Sequence, residues 1–494
     1  MNESAKDQGY NFAGHLLERL GPLSCLIDAD TGETISSSEL RRSISSFGAR
    51  ILSAGLKPGN AIVIGCRLSP PSSIAYLGAM YAGLVPIPVE ESTLASSGST
   101  LLVRSGAAAL WTERSHEFDW TCGKGVKLLH GHPGEMIADT IPPIPRKESD
   151  LAALVATSGS TGLPRFVMVS HGNLRANTEA IIRSQHLGND ERAMLILPVS
   201  YCFGASVLHT HLYQGGGVVF DRHFMFPDKV LRAVNQYECT TFAGVPAVYN
   251  ILLHRSNIQS IAMPGLRRFL QAGGPLAPQQ VSEMRSAVPT ARFYVMYGQT
   301  EATARISCLD PESLDKKLGS AGQPLDNLSI NIVDANGRNL PVGQIGEIVV
   351  RGPSITLGYL NEPEASRRVF NDGQLHTGDL GHLDEDGYLW IDGRMGAFLK
   401  MRGVRVSFAE VEAKVAAVPG VYECAATALT HPVVGEALAL YIVTDPKAQN
   451  VVDQVRRSLP ANWTCESITI VSEIPKTSSW KVSREALANR QSDS

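Results

Sequence analysis

Apolar positions along this chain switch between two arrangements, helical spacing and short unbroken runs. Residues Ser37–Ser53 carry helical spacing, 61–65 form a short apolar strand, and 74–83 form a helix of small residues. Val85-Pro86-Ile87-Pro88-Val89 then starts another strand, and the alternation returns at 193–197 and Gly217–Phe220. This recurrence predicts α/β layers around a largely parallel sheet. Between about 321 and 360 the texture changes: Ser329–Val333 and 346–350 read as strands and Asn336-Gly337 as a turn, which predicts a small β subdomain. The run Asp386-Gly387-Tyr388-Leu389-Trp390-Ile391 reads as a turn into a strand, and a second switch follows at 392–396. Beyond it, a helix at 408–418, a turn at Pro419-Gly420, a strand at 437–443 and an amphipathic helix over 451–459 mark a separate unit.

The length supports that division, because 494 residues exceed what one compact core normally serves. A formal net charge of -4 with no long charge run offers no field for nucleic acid or an anionic membrane, so neither is expected as a partner. The eight cysteines are scattered without a C-x-x-C pair or clustered histidines, which reads as reduced, packed thiols and no zinc site. No apolar run approaches the roughly 20 residues of a membrane span, and the start lacks the basic and apolar segments of a signal peptide. The final Ser492-Asp493-Ser494 is not a peroxisomal address, so a cytoplasmic protein without stable membrane insertion is expected.

The segment Thr157-Ser158-Gly159-Ser160-Thr161-Gly162-Leu163-Pro164-Arg165 carries the most chemistry. Glycines let backbone N–H groups turn toward an anion, hydroxyls add uncharged donors, and Arg165 adds a permanent cation. It is neither a P-loop nor a dinucleotide fingerprint, since no G-x-x-x-x-G-K-[ST] or G-x-G-x-x-G string occurs.

Further segments follow in order: Gln271-Ala272-Gly273-Gly274-Pro275-Leu276, Tyr297-Gly298-Gln299-Thr300-Glu301, Thr377-Gly378-Asp379, Gly393-Arg394, and Pro475-Lys476-Thr477-Ser478-Ser479-Trp480-Lys481. With the first loop, these strings resemble the signatures of the adenylate-forming superfamily of acyl- and aryl-CoA ligases, adenylation domains and luciferases. The resemblance implies a large multi-subdomain α/β domain over 1–393 with its small β subdomain, and a small mobile α+β domain over 394–494 that rotates between two catalytic poses.

It also implies roles. Thr157, Ser158, Gly159, Ser160, Thr161 and Gly162 would hold the β- and γ-phosphates of ATP, with Ser160 and Thr161 as hydroxyl donors. Tyr297 would lie against adenine with Gly298 beside it, Thr300 at the α-phosphate, and Glu301 on Mg2+ with Thr161 as a second metal-side group. Asp379 and Arg394 would bind the ribose hydroxyls, and Gly273 and Gly274 would admit adenine or the acyl group. Lys481 would bridge the substrate carboxylate and the α-phosphate during adenylation, while Lys400 and Gly403 would enter the site for thioester formation. Tyr201, Phe203, Gly204, Ala243, Gly244 and Ala302 are the expected acyl-pocket residues, the small ones leaving room for a ring or modest chain.

Four positions depart from the family pattern: Arg165 replaces a lysine, Phe166 a glycine, Trp480 a glycine, and the hinge reads Met395-Gly396-Ala397. The implied reaction is ATP-dependent activation of a small carboxylic acid and its transfer to CoA. The alternatives are loading of a phosphopantetheinylated acyl or peptidyl carrier protein, or a degenerate relative that binds nucleotide with little turnover. Composition leaves the particular acid, the thiol acceptor and the oligomeric state open.

Overall fold

The computed structural model describes residues 9–114, 125–134, 140–157, 165–395, 398–401, 404–431, 435–445, 448–460, 462–476, 482–484 and 486–487. Its largest sheet runs Thr34–Ser36, Cys25–Asp28, Gly217–Phe220, Arg192–Leu195, Thr241–Gly244, Arg268–Gln271, Arg292–Tyr297, Ser307–Leu309, Gln323–Pro324 across nine strands. The six from Cys25–Asp28 to Arg292–Tyr297 are parallel, and antiparallel strands close both edges. Gly244, Gln271 and Tyr297 therefore end their strands side by side at one carboxyl edge, where ligands bind in open α/β sheets. Phe242, Phe269 and Phe293, which face one another across three of these strands, anchor the core beneath it.

A second sheet of Val85–Glu90, Ala61–Cys66, Ala109–Thr112 and Lys127–His130 is parallel throughout. Val85–Glu90 lies at its edge, the position that tolerates Pro86 and Pro88 because proline cannot donate to a second neighbour. The helix foreseen at 74–83 begins earlier, at Pro70, since Ser69 accepts a hydrogen bond from the Ser72 N–H and proline suits the first turn.

The hydroxyl-rich loop joins the two strands of an antiparallel hairpin, Leu151–Thr157 and Arg165–Ser170. Backbone bonds from Met168 to Gly358, Leu357 to Met168 and Leu360 to Phe166 lay 357–360 along the hairpin's other side. The expected β subdomain is Ser329–Val333, Gly346–Arg351, Gln374–Leu383 and Leu389–Arg394, with Phe370–Asn371 at its margin.

The C-terminal unit has its own sheet, Val404–Ser407, Phe398–Met401, Gly435–Thr444 and Val421–His431, with Cys465–Ile470 parallel to Gly435–Thr444. Helices Phe408–Ala416 and Val451–Ser458 cover it, and Leu399, Val411, Val415, Leu440, Ile442 and Val455 form a core separate from the main one. Arg394 ends a strand of the β subdomain and pairs in register with Asp379.

Candidate active site

Asp379 and Arg394 face each other across the hairpin of Gln374–Leu383 and Leu389–Arg394, with Arg394 Nε 3.8 Å from Asp379 Oδ1. Gly378, at φ +70°, turns the strand so that the Asp379 N–H reaches Thr377 Oγ1 at 3.1 Å. The Tyr297 hydroxyl, delivered from the carboxyl end of its parallel strand, donates to Asp379 Oδ2 at 2.6 Å. Burial first, and the Asp379 carboxylate second, hold that phenol well above its usual range, so it stays a donor. Tyr297, Asp379 and Arg394, far apart in sequence, thus form one cluster whose carboxylate and guanidinium suit a vicinal diol.

Thr300 and Glu301 open a single 3-10 turn, Thr300–Ala302. Thr303 follows at φ 68° and ψ -57°, and the Ala304 N–H returns to the Ala302 carbonyl at 2.8 Å, which makes a strained γ-turn centred on a β-branched residue. The turn folds the chain back on itself: a side chain on Gly298 would lie 1.9 Å from the Ala304 carbonyl oxygen, so only glycine fits there.

Segment 354–360 fixes Glu301. Its carbonyl accepts from both the N–H and the hydroxyl of Thr356 at 3.0 Å, and its Oε1 accepts from Tyr359 Oη at 2.8 Å. Tyr359 in turn stands beneath the Arg165 guanidinium, 5.5 Å from ring centre to carbon. Arg165 pairs with Glu362 at 3.0 Å, and Arg104 with the other oxygen of the same carboxylate at 2.9 Å. The cation expected to meet phosphate is therefore also tied to an acid. Tyr359 and Glu362 lie in no recognised string. A tyrosine in the polar-flanked run Gly358-Tyr359-Leu360-Asn361-Glu362 was the available signal.

Tyr201, expected at the acyl pocket, caps helix Cys202–Tyr213, and its hydroxyl lies 2.8 Å from where a side chain on Gly273 would begin. The Thr300 hydroxyl reaches Cys202 Sγ at 3.5 Å, joining the 297–301 loop to this helix turn. Phe203 packs edge-on to Tyr201 with ring centroids 6.4 Å apart. The room expected at two glycines is already filled. A side chain on Gly204 would meet the Pro198 carbonyl oxygen at 2.2 Å, and one on Gly244 would meet Val248 at 2.7 Å, so these glycines serve close packing. Ala243 and Ala302 are fully buried. Gly274 accepts at its carbonyl from Gln271 Nε2 at 2.7 Å.

Thr157 ends the first strand of the hairpin. Ser158, Gly159, Ser160, Thr161, Gly162, Gly403 and Lys481 lie outside the described residues, as do Gly396, Ala397 and Trp480. The backbone of Lys400 belongs to the strand Phe398–Met401, the first of the C-terminal unit. Among the described residues, no helix is long and apolar enough to cross a membrane.

Residues 19–360 match the model of the AMP-binding enzyme family and residues 410–481 that of the AMP-binding enzyme C-terminal domain. The chain belongs to the AMP-binding enzyme family and is, with the relatives it matches, an AMP-forming acid–thiol ligase. It is 29% identical to a feruloyl-CoA synthase of Amycolatopsis sp, over 93% of this chain and 94% of that one. It is 25% identical to 4-coumarate-CoA ligase 1 of Narcissus pseudonarcissus, over 96% and 92%. The fold superposes on ATP-bound MatB from Rhodopseudomonas palustris with a TM-score of 0.88 and 26% identity, covering 98% of this chain and 99% of that one.

Proposed function

We propose that the protein activates an aryl or acyl carboxylic acid with ATP and transfers the acyl group to the thiol of CoA. The observation that carries this reading is the convergence of Tyr297, Asp379 and Arg394 on one side of the 297–301 loop with Glu301, Tyr359 and Arg165 on the other. The first cluster offers acceptors and a cation to a ribose. The second holds the Glu301 carboxylate on Tyr359, whose ring stands beneath Arg165. MatB was solved with ATP bound, and the curated relatives are named for CoA thioesters.

In the first half-reaction an oxygen of the acid bonds to the α-phosphorus, and the bond to the departing pyrophosphate breaks. In the second, the thiol sulfur bonds to the acyl carbon, the thiol proton is lost, and AMP leaves with the former carboxylate oxygen. Asp379 and Arg394 hold the ribose end through both steps. Thr300 serves the α-phosphate, the loop 157–162 the departing phosphates, and Lys481 the developing charge in the first step. Glu301, with Oε1 held by Tyr359, suits Mg2+, which needs few protein ligands and neutralises phosphate charge when bound; Thr161 is its expected companion. Lys400 and Gly403 act in the second step, and the unit after Met395 rotates between the two.

Pyrophosphate release with ATP and Mg2+ across aryl, short, medium and long acids and amino acids, with and without CoA, tests the reading. Release for one acid class with CoA-dependent turnover is expected. Release that proceeds to thioester only with a phosphopantetheinylated carrier protein would replace CoA as the acceptor, and ATP binding with no release for any acid would remove the ligase reading.

A further inference from the structure

Arg305 is 2% exposed and ranks among the largest fully buried side chains. Its backbone is fixed from both sides by one amide: the Arg305 N–H donates to Asn177 Oδ1 at 3.2 Å and Asn177 Nδ2 donates to the Arg305 carbonyl at 2.9 Å. The guanidinium stacks over Phe203, 4.7 Å from the ring centroid, and its Nε is buried without a hydrogen-bond partner. Among the described residues it pairs with no carboxylate. The ionisable groups around it are Tyr201, Cys202 and Cys308; burial pushes the Tyr201 phenol well up and the Cys308 thiol up to about 12, so neither of these two supplies a counter-charge at neutral pH.

Among the described residues, the other deeply buried arginine, Arg268, pairs with Glu191 at 2.5 Å. An unpaired buried cation is costly, and stacking on an aromatic ring returns only part of that cost. The cation also has a defined place. It lies against Phe203, beside Tyr201 and Cys202, directly after the strained turn that folds 299–304 back behind Gly298.

We propose that Arg305 is a specificity-determining residue that selects carboxylic acids bearing a second anionic group, such as a second carboxylate, at the end remote from the carboxyl that is activated. The inference rests on the ligase reading and on the acyl site lying between Tyr201, Phe203 and Gly273. It explains the missing counter-charge: the substrate brings it. Activation neutralises only the carboxylate that joins phosphorus, so the remote anion continues to satisfy the guanidinium through both half-reactions. A neutral acid of the same shape would leave the cation buried and unpaired in every bound state.

The test pairs aliphatic and aromatic dicarboxylic acids with their monomethyl esters, which keep the shape and remove one charge. Pyrophosphate release is measured with ATP, Mg2+ and CoA for the wild type, Arg305→Met and Arg305→Lys. The wild type is expected to favour a diacid over its ester by about 100-fold or more in kcat/KM, chiefly through KM. Arg305→Met is expected to abolish that preference, chiefly through loss of the diacid, and Arg305→Lys to restore part of it. Should Arg305→Met fail to fold, the wild-type ratio decides, together with thermal stabilisation of the wild type by diacid against ester in the presence of a non-hydrolysable ATP analogue. Equal or better use of the esters, or activation of monocarboxylic acids alone, overturns the proposal and leaves the ligase reading standing. No pyrophosphate from any acid removes both.

Discussion

Tyr359 donates to one oxygen of Glu301 and underlies Arg165, so its hydroxyl orients the carboxylate on which metal binding is placed. Tyr359→Phe keeps the ring and its packing against Phe370 while freeing that oxygen. Hydrogen bonds to charged groups contribute about 1.5–3 kcal/mol, so kcat/KM is expected to fall roughly 10- to 100-fold. The Mg2+ concentration for half-maximal rate should rise with it. A metal titration of pyrophosphate release checks this, and an unchanged titration would show that Tyr359 does not orient Glu301. Neither Tyr359 nor Arg305 was legible beforehand. Strings such as Tyr297-Gly298-Gln299-Thr300-Glu301 announce themselves by composition, but a residue that acts through a fold-back or a neighbouring strand does not. The available signal for Arg305 was a lone charge inside the otherwise uncharged, mostly apolar run Ala304 to Leu309.

Among the elements, the N-terminal helix Phe12–Arg19 is held by two histidines from distant parts of the chain. The Phe12 N–H donates to His171 Nδ1 at 3.1 Å, and His209 stacks on Tyr76 and meets the Phe12 ring edge-on. Burial lowers His171 to about 4 and His209 to about 3 from an ordinary 6.5, and burial likewise lowers His211 to about 4. The unfolded chain therefore binds more protons than the folded one below about pH 6.5. The stability these groups contribute is complete above that value and is lost as the pH falls through the folded values. The melting temperature is accordingly expected to drop between pH 6.5 and 4, and His209→Phe, which keeps the aromatic contacts, should flatten that arm in a calorimetric series. A parallel acid arm in the variant would assign the loss to other groups. Element types were largely legible, since parallel strands between layers read as short apolar runs and the prolines of Val85–Glu90 fit an edge. Register was not. That 357–360 runs along the hairpin depends on pairings between residues nearly two hundred positions apart.

For the molecule as a whole, the two cores share little. The contacts between the units include the stacking of His254 on Tyr422 at 4.1 Å and a hydrogen bond from Arg255 to the Ser472 carbonyl at 3.0 Å. Contacts of that scale leave relative motion as the default. A chain ending after Met395 is expected to fold and bind ATP within about tenfold of the full protein while losing pyrophosphate release by orders of magnitude, as calorimetric titration beside the release assay would show. Lys481→Ala separates the half-reactions: adenylation should fall about 100- to 1,000-fold, with a preformed acyl-adenylate still converted to thioester. Equal losses in both would move that lysine out of its assigned role.

Arg394 and Asp379 lie in register on paired strands, and the Met395 N–H is tied to the Gly378 carbonyl at 2.7 Å, so the proposed ribose clamp ends where the C-terminal unit begins. Rotation beyond Met395 can then proceed without loosening the clamp. On the proposed two-pose mechanism, pyrophosphate is expected to depart before the thiol arrives and AMP to be the product held longest, so free AMP should inhibit the steady state in competition with ATP.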